Sequence, residues 1–216
     1  MIDPENVSLS SFLTSWYGPP TSPISPVPPT SKWLPEPLKE WYQLSSQWGH
    51  SLAATRRIRN PDQIVIDDAM AIFMEDATGD WRWAFHTEHP DSVYDAELGE
   101  EWEQVAEGLA ELLIHNALSE ATYNATSWRE CGQVPEERLT SILLPMTEIA
   151  FRGWRWPKPG GRIYMSDSLV AEVLPAMELG APWKARSGYA EVRVASPHPD
   201  KLAFVDEMND LKWLRK

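Results

Sequence analysis

The chain has 216 residues, of which 43% are hydrophobic, and this composition suits one globular domain, or one domain with an arm. The formal net charge is −13, which argues against binding to the phosphate backbone of nucleic acids. No apolar run reaches the roughly 18 residues of a membrane span, and no signal peptide is visible. The single cysteine, Cys131, cannot form an internal disulfide, and we expect a cytoplasmic protein.

The N-terminal region divides into a short helix and a proline-rich arm. Residues Ser8 to Gly18 predict a helix that ends at its glycine. Eight prolines follow within Pro19 to Pro37, which indicates an extended, polyproline-like segment. We therefore expect an arm over residues 1–35 and a single domain over residues 36–216.

The next segments predict a helix and then an antiparallel hairpin. Residues Glu36 to Trp48 have apolar side chains at helical spacing and are followed by Gly49. Residues 70–75 and 81–86 alternate in polarity, and a short loop containing Gly79 joins them. Residues 92–96 predict a third strand. The tryptophans of this region are expected in the core first of all.

The second half of the chain predicts further helices and strands. Apolar side chains at three- and four-residue spacing predict a helix from Glu101 to Tyr123, and another helix is expected from Pro135 to Ala150. Residues 160–167 predict a strand, residues 168–180 a helix or turn, residues 189–196 a strand and residues 199–214 a closing helix. The predicted fold class is α+β, with a largely antiparallel sheet of about five to six strands flanked by helices.

Acidic residues are concentrated in the middle of the chain. Between Arg59 and Arg129 there are sixteen acidic residues and one basic residue, Arg82, a net charge of −15. Such a surface would attract a basic protein and increase the rate of encounter. The alternative is a solvated acidic face that only keeps the protein soluble.

The candidate catalytic and ligand-binding patterns are incomplete. His86 and His89 lack a third ligand and a helical context for a metal. Neighbouring carboxylates such as Glu75 and Asp76 point to opposite faces of a strand, so their adjacency does not indicate a catalytic pair. No nucleotide-binding, hydrolase or zinc motif is present. We therefore expect no catalytic residues, no cofactor and no metal.

The order of these features resembles the SUKH superfamily, which includes Smi/Knr-like regulators of yeast cell-wall assembly and many bacterial immunity proteins. The family's Glu-Asn-Gln-Gly hairpin is similar to residues 75–83, where Glu75, Gly79 and Trp83 match. The Asn-Gln pair is absent and the turn is one residue longer. Residues 90–94 resemble the family's Asp-Pro-Pro-Val-Tyr, and Trp102 precedes a matching helix. The resemblance covers residues 33–123 and extends more loosely to the end of the chain.

The resemblance implies a single non-catalytic domain that binds another protein. Bacterial members look like antidotes to polymorphic toxins, many of which are nucleases or deaminases, and the charge pattern agrees with a basic partner. The candidate partner-binding residues are Asp76, Asp80, Asp91, Asp95, Glu97, Glu100 and Glu101. The alternatives are a regulatory scaffold that uses the proline-rich arm and a glycan-binding protein that uses the tryptophans. Neither nucleic acid nor a membrane is an expected partner, and the oligomeric state is left open.

Overall fold

The computed structural model describes residues 1–216, and the chain forms two compact units. We call residues 19–120 the central unit, and residues 1–18 together with residues 121–216 the terminal unit. Each unit contains a six-stranded sheet in which the strands pair antiparallel. The predicted α+β class is confirmed, although the strands form two sheets where the sequence predicted one. The predicted boundary between an arm of residues 1–35 and a domain of residues 36–216 stays a prediction.

Helices and strands alternate irregularly along the chain. The helices are α1 (Leu9–Tyr17), α2 (Glu36–Ser45), α3 (Leu109–Asn124), α4 (Glu136–Leu143) and α5 (Ala203–Asp206). The central strands are β1 (Arg56–Ile58), β2 (Val65–Asp67), β3 (Met70–Asp76), β4 (Trp81–His86), β5 (Ser92–Glu97) and β6 (Glu103–Gly108). The terminal strands are β7 (Ser127–Pro135), β8 (Thr147–Glu148), β9 (Arg162–Met165), β10 (Val170–Glu178), β11 (Ala181–Ser196) and β12 (Leu214–Arg215). None of the helices combines the length and apolar character that a membrane span requires.

The predicted hairpin is the middle of the central sheet, whose order is β1-β3-β4-β5-β6, with β2 also paired to β3. Gly79 lies in its turn with a φ of 79°, a conformation that glycine adopts without strain. Trp83 and Phe85 are buried, and the Phe85 ring centroid lies 6.0 Å from Phe73 and 6.1 Å from Trp33. The tryptophan and phenylalanine rings of β4 therefore contribute to the core, as the alternating pattern predicts.

The terminal sheet has the order β12-β7-β11-β10-β9-β8. Its core contains aliphatic residues from β7, β10 and β11, including Val134, Val173 and Val192. At the chain start, Ile2 forms a parallel bridge with Ile149, and Ser8 caps α1 by accepting a hydrogen bond from the Ser11 amide. The predicted N-terminal helix is confirmed, including its end at Gly18.

Four predicted elements differ from the structure. The helix expected from Glu101 begins only at Leu109, because residues 103–108 form β6 and pair with β5. Residues 170–178, expected as helix or turn, form β10, where the apolar run is almost wholly buried. The helix expected over residues 199–214 shrinks to a 3-10 turn and the four-residue α5. The helix expected from Pro135 to Ala150 ends at Leu143.

Candidate protein-binding surface

Two loops meet at one end of the central sheet. The β3–β4 turn and the β5–β6 loop are joined by the Leu98 amide, which donates to the Asp80 carbonyl oxygen at 2.6 Å. Trp81 and Glu97 are paired across the adjoining strands. We call this the Glu100 end, and its exposed acidic residues are Asp80, Glu97, Glu100 and Glu101. The structure therefore brings together four of the seven predicted partner-binding residues.

The opposite end of the sheet carries another group of acids. There the Thr87 amide donates to the Ala69 carbonyl oxygen at 2.8 Å, which joins the β4–β5 loop to the β2–β3 turn. We call this the Asp91 end, and its exposed acidic residues are Asp67, Asp68, Glu88 and Asp91. A six-residue strand spans roughly 20 Å, so Asp91 lies far from the other predicted residues.

The remaining two predicted residues are buried. Asp76 accepts hydrogen bonds from the Thr78 hydroxyl at 2.7 Å and the Trp81 amide at 3.0 Å, so it holds the β3–β4 turn. Burial alone would raise the pKa of Asp76, but these hydrogen bonds outweigh it and the pKa lies below its ordinary value. Asp95 is 1% exposed in the middle of β5. The burial of both carboxylates argues against direct contact with a partner, and the predicted role of the exposed five stays a prediction.

A second group of acids is buried against the arginines of β1 and the chain after it. The Glu120 carboxylate, 1% exposed, accepts from the Thr55 amide and from Arg56 Nε, both at 2.8 Å. Arg57 and Arg59 both donate to Glu75. Burial raises the pKa of Glu75, but the hydrogen bonds from the two guanidinium groups outweigh it, so the pKa lies below its ordinary value.

The burial of these acids changes how the sequence charge is interpreted. Of the sixteen acids between Arg59 and Arg129, five are buried: Glu75, Asp76, Asp95, Glu107 and Glu120. Glu107 lies 2.8 Å from Nδ1 of the buried His115. The other eleven reach the surface, with only Arg82 as a basic neighbour in this segment. The guanidinium of Arg82 lies over the Trp102 ring at 5.2 Å.

The Glu100 end also offers an apolar contact. Leu98 is 60% exposed within the β5–β6 loop, between the acidic residues. An exposed leucine surrounded by carboxylates suits a protein partner with basic and apolar side chains, because charge increases the encounter rate and apolar burial stabilises the complex. The Glu100 end therefore exposes both negative charge and an apolar side chain to solvent.

No group of three or more His, Cys, Asp or Glu side chains is arranged to hold a metal ion. The two histidines noted in the sequence, His86 and His89, stack with ring centroids 5.3 Å apart in the β4–β5 region. They lie in a tight turn in which the His89 amide donates to the His86 carbonyl oxygen and the Glu88 amide donates to His86 Nδ1.

Sequence reasoning missed the Arg56–Glu120 pair. The two residues are 64 positions apart, and no local pattern connects an arginine in a short strand with a glutamate late in a helix. The only sequence signal was an acidic residue, Glu120, within a helix that is rich in alanine and leucine. A buried carboxylate requires hydrogen-bond donors, so a buried Glu120 predicts a donor partner. The sequence does not show which residue supplies it.

Comparison with known proteins finds no matching protein-family model, no similar curated protein and no similar solved structure. The SUKH resemblance therefore stays a prediction that depends mainly on residues 33–123.

Proposed function

We propose that this chain is a non-catalytic, acidic protein-binding protein, and that it acts as an immunity protein that neutralises a basic toxin domain of the nuclease or deaminase class. The observation that carries the proposal is the group of four exposed acids around an exposed leucine at the Glu100 end. The SUKH-like order of residues 33–123 supports the same function by family analogy. A cytoplasmic location belongs to the proposal.

The physical basis is charge complementarity. A toxin that acts on nucleic acid needs a basic groove to hold the phosphate backbone. An acidic surface can occupy that groove and exclude the substrate, and long-range attraction increases the association rate at low salt. The Glu100 end provides negative charge with one basic neighbour, Arg82, so an incoming basic surface meets little repulsion.

The first experiment is affinity capture of partners from the native cells at about 50 mM and about 500 mM salt, a range in which screening weakens contacts between exposed charges. We expect a basic partner with nuclease- or deaminase-like chemistry that is lost at the higher salt. The purified partner should lose its toxic activity when this chain is added in equal amount. A partner whose activity is unchanged by the complex would contradict the immunity function.

The second experiment tests which surface binds. Reversal to lysine of Asp80, Glu97, Glu100 and Glu101 should lower the association rate with the captured partner by about tenfold or more at low salt. The comparison variant reverses Asp67, Asp68, Glu88 and Asp91, which changes the net charge equally at the Asp91 end and also tests the one predicted partner-binding residue that lies there. An equal effect of both variants would show that overall charge, and no particular end, governs association.

A regulatory scaffold is the second candidate. Residues 19–30 of the proline-rich segment are mostly exposed, including Ile24 at 59%. Such a segment can dock into an aromatic groove as a preformed extended helix. Replacement of Pro23 and Pro26 by alanine should then abolish partner capture at both salt concentrations, whereas the immunity function predicts no change.

A further inference from the structure

We propose that the central unit has a binding pocket for a small aromatic organic anion, separate from the Glu100 end and independent of the proposed protein partner. The pocket has a volume of about 340 Å³ and is lined by residues of α2, β1 and α3 and of the segments that follow α2 and β1. Its size lies within the range of pockets that hold small ligands. Three features of its lining define the ligand.

The first feature is charge. None of the twelve lining residues is acidic, although the central unit has eighteen acidic and six basic residues. Arg56, Arg57 and His50 lie in the lining. The carboxylate of Glu75 is shared by two guanidinium groups, so this pairing leaves one positive charge uncompensated. The pocket is therefore a locally cationic place in the acidic unit, which favours an anion.

The Arg57 guanidinium group can carry this positive charge toward a ligand. The Arg57 side chain is 72% exposed, and Arg59 contacts the same Glu75 carboxylate through both Nε and Nη2. Arg59 can hold Glu75 without help, so Arg57 can turn toward a ligand at the pocket rim at little cost. A guanidinium group is well suited to a carboxylate or phosphate because its donors match the paired oxygens.

The second feature is a buried amide. Asn116 lines the pocket from α3 and is 3% exposed, and its Oδ1 has no hydrogen-bond partner. Buried polar atoms are nearly always hydrogen-bonded, so an orphaned carbonyl oxygen in a pocket lining indicates a missing donor. Because Oδ1 itself is buried, a hydroxyl or amino group of a ligand would supply that donor once the Asn116 amide turns toward the pocket.

The third feature is an apolar wall. Trp41 is 7% exposed and lines the pocket together with Leu52 and Ile58. An aromatic side chain and two aliphatic ones favour a flat hydrocarbon body over a fully polar ligand. The three features together define a ring that carries a negative group near Arg57 and a donor near Asn116.

The test uses 4-hydroxybenzoate as the probe and 4-hydroxybenzamide as its neutral match, which has the same ring and hydroxyl. Calorimetric titration of the full chain should give a Kd of about 1 mM or tighter for the anion and binding at least about tenfold weaker for the amide. 4-Hydroxyphenyl phosphate, which keeps the ring and the hydroxyl, should bind as the carboxylate does. If neither anion binds at about 10 mM, or if the anion and the amide bind equally, the proposal is wrong.

Three variants locate the binding. Arg57→Gln should weaken 4-hydroxybenzoate binding by about tenfold, and Asn116→Leu should remove it. Lys39→Gln is the matched control, since it removes a charge from α2 outside the pocket lining and should leave binding unchanged. The Arg57 side chain is mostly exposed, so this variant folds even if Asn116→Leu does not. Unchanged affinity in Arg57→Gln would overturn the assignment of the anion to this pocket.

Discussion

The central and terminal units contain the same kind of sheet but very different charge. The central unit has eighteen acidic and six basic residues, a net charge of −12, and the terminal unit has fourteen acidic and thirteen basic residues, a net charge of −1. Both form six antiparallel strands. A six-stranded antiparallel sheet therefore forms with either net charge. The excess of acids in the central unit needs a reason other than the fold.

The two units also differ in how their arginines are used. In the terminal unit, Arg193 lies over the Tyr123 ring at 4.6 Å and the Trp128 ring at 4.1 Å and donates to Glu130. The pairing with Glu130 neutralises the charge of Arg193, and the two rings stabilise its guanidinium group. In the central unit, Arg56 is buried and paired with Glu120. Its positive charge therefore does not compensate the acids that are exposed on the surface of this unit.

The largest effect on stability is expected when the buried Arg56–Glu120 ion pair of the central unit is broken. Glu120→Gln removes the charge that balances the buried guanidinium of Arg56, and we expect a loss of about 3–5 kcal/mol in the free energy of unfolding. Urea denaturation measures it. A loss below about 1 kcal/mol, as for a surface pair, would mean that this pair is no more important than the ion pairs of the terminal unit.

A smaller effect is expected at the β3–β4 turn. Asp76→Asn weakens the hydrogen bonds that hold the turn, with an expected cost of about 1–2 kcal/mol at pH 7. The folded pKa of Asp76 lies below its ordinary value of 3.8, so the stabilisation is fully present above that value and is lost as the pH falls through the folded pKa. Denaturation measured from pH 7 to pH 2 should show that the free energies of unfolding of the wild-type protein and of Asp76→Asn become equal only at acid pH. A constant difference across this range would contradict the assignment.

The Arg129–Asp206 ion pair of the terminal unit is more exposed than the Arg56–Glu120 pair and can be compared with it. The hydrogen bond from Arg129 lowers the pKa of Asp206 more than burial raises it, and Arg129 Nε lies 2.7 Å from the carboxylate. Asp206→Asn should cost less than about 1 kcal/mol. The cost should shrink between low and high salt, since partly exposed charges are screened. A cost equal to that of Glu120→Gln would remove the distinction between the units.

The smallest effect is expected at the Glu100 end. Replacement of Asp80, Glu97, Glu100 and Glu101 by their amides should change the free energy of unfolding by less than about 0.5 kcal/mol per residue, with a slight gain at low salt from reduced repulsion. Thermal denaturation at two salt concentrations measures it. Marked destabilisation would show that these carboxylates are needed for folding, which would weaken their assignment to partner binding.

The central hairpin could be predicted because its signals are local. Alternating apolar side chains in residues 70–75 and 81–86 and a glycine in the joining turn are enough to define two paired strands. The boundary between β6 and α3 could not be predicted, because Val105 and Leu109 fit helical spacing as well as a strand. Residues 103–108 became a strand because they pair with β5.

The candidate surface was predicted in the same partial way. The excess of acids was evident from composition, but Asp76 and Asp95 are as acidic in sequence as Glu100 and only their burial separates them. The division of the exposed acids between two ends follows from strand direction and loop position. Neither the burial of Asp76 and Asp95 nor the division of the exposed acids between the two ends is encoded in a local sequence pattern.

Amino-acid order alone specified the fold class, the first helix, the central hairpin and the acidic character of residues 60–128, because each depends on short-range periodicity, turn residues or composition. Tertiary structure decided the division into two sheets, the burial of five acids, the partners of the arginines and the pocket lined by Asn116. Those features depend on contacts between residues distant in the chain, whose energies arise only when the strands and helices pack together.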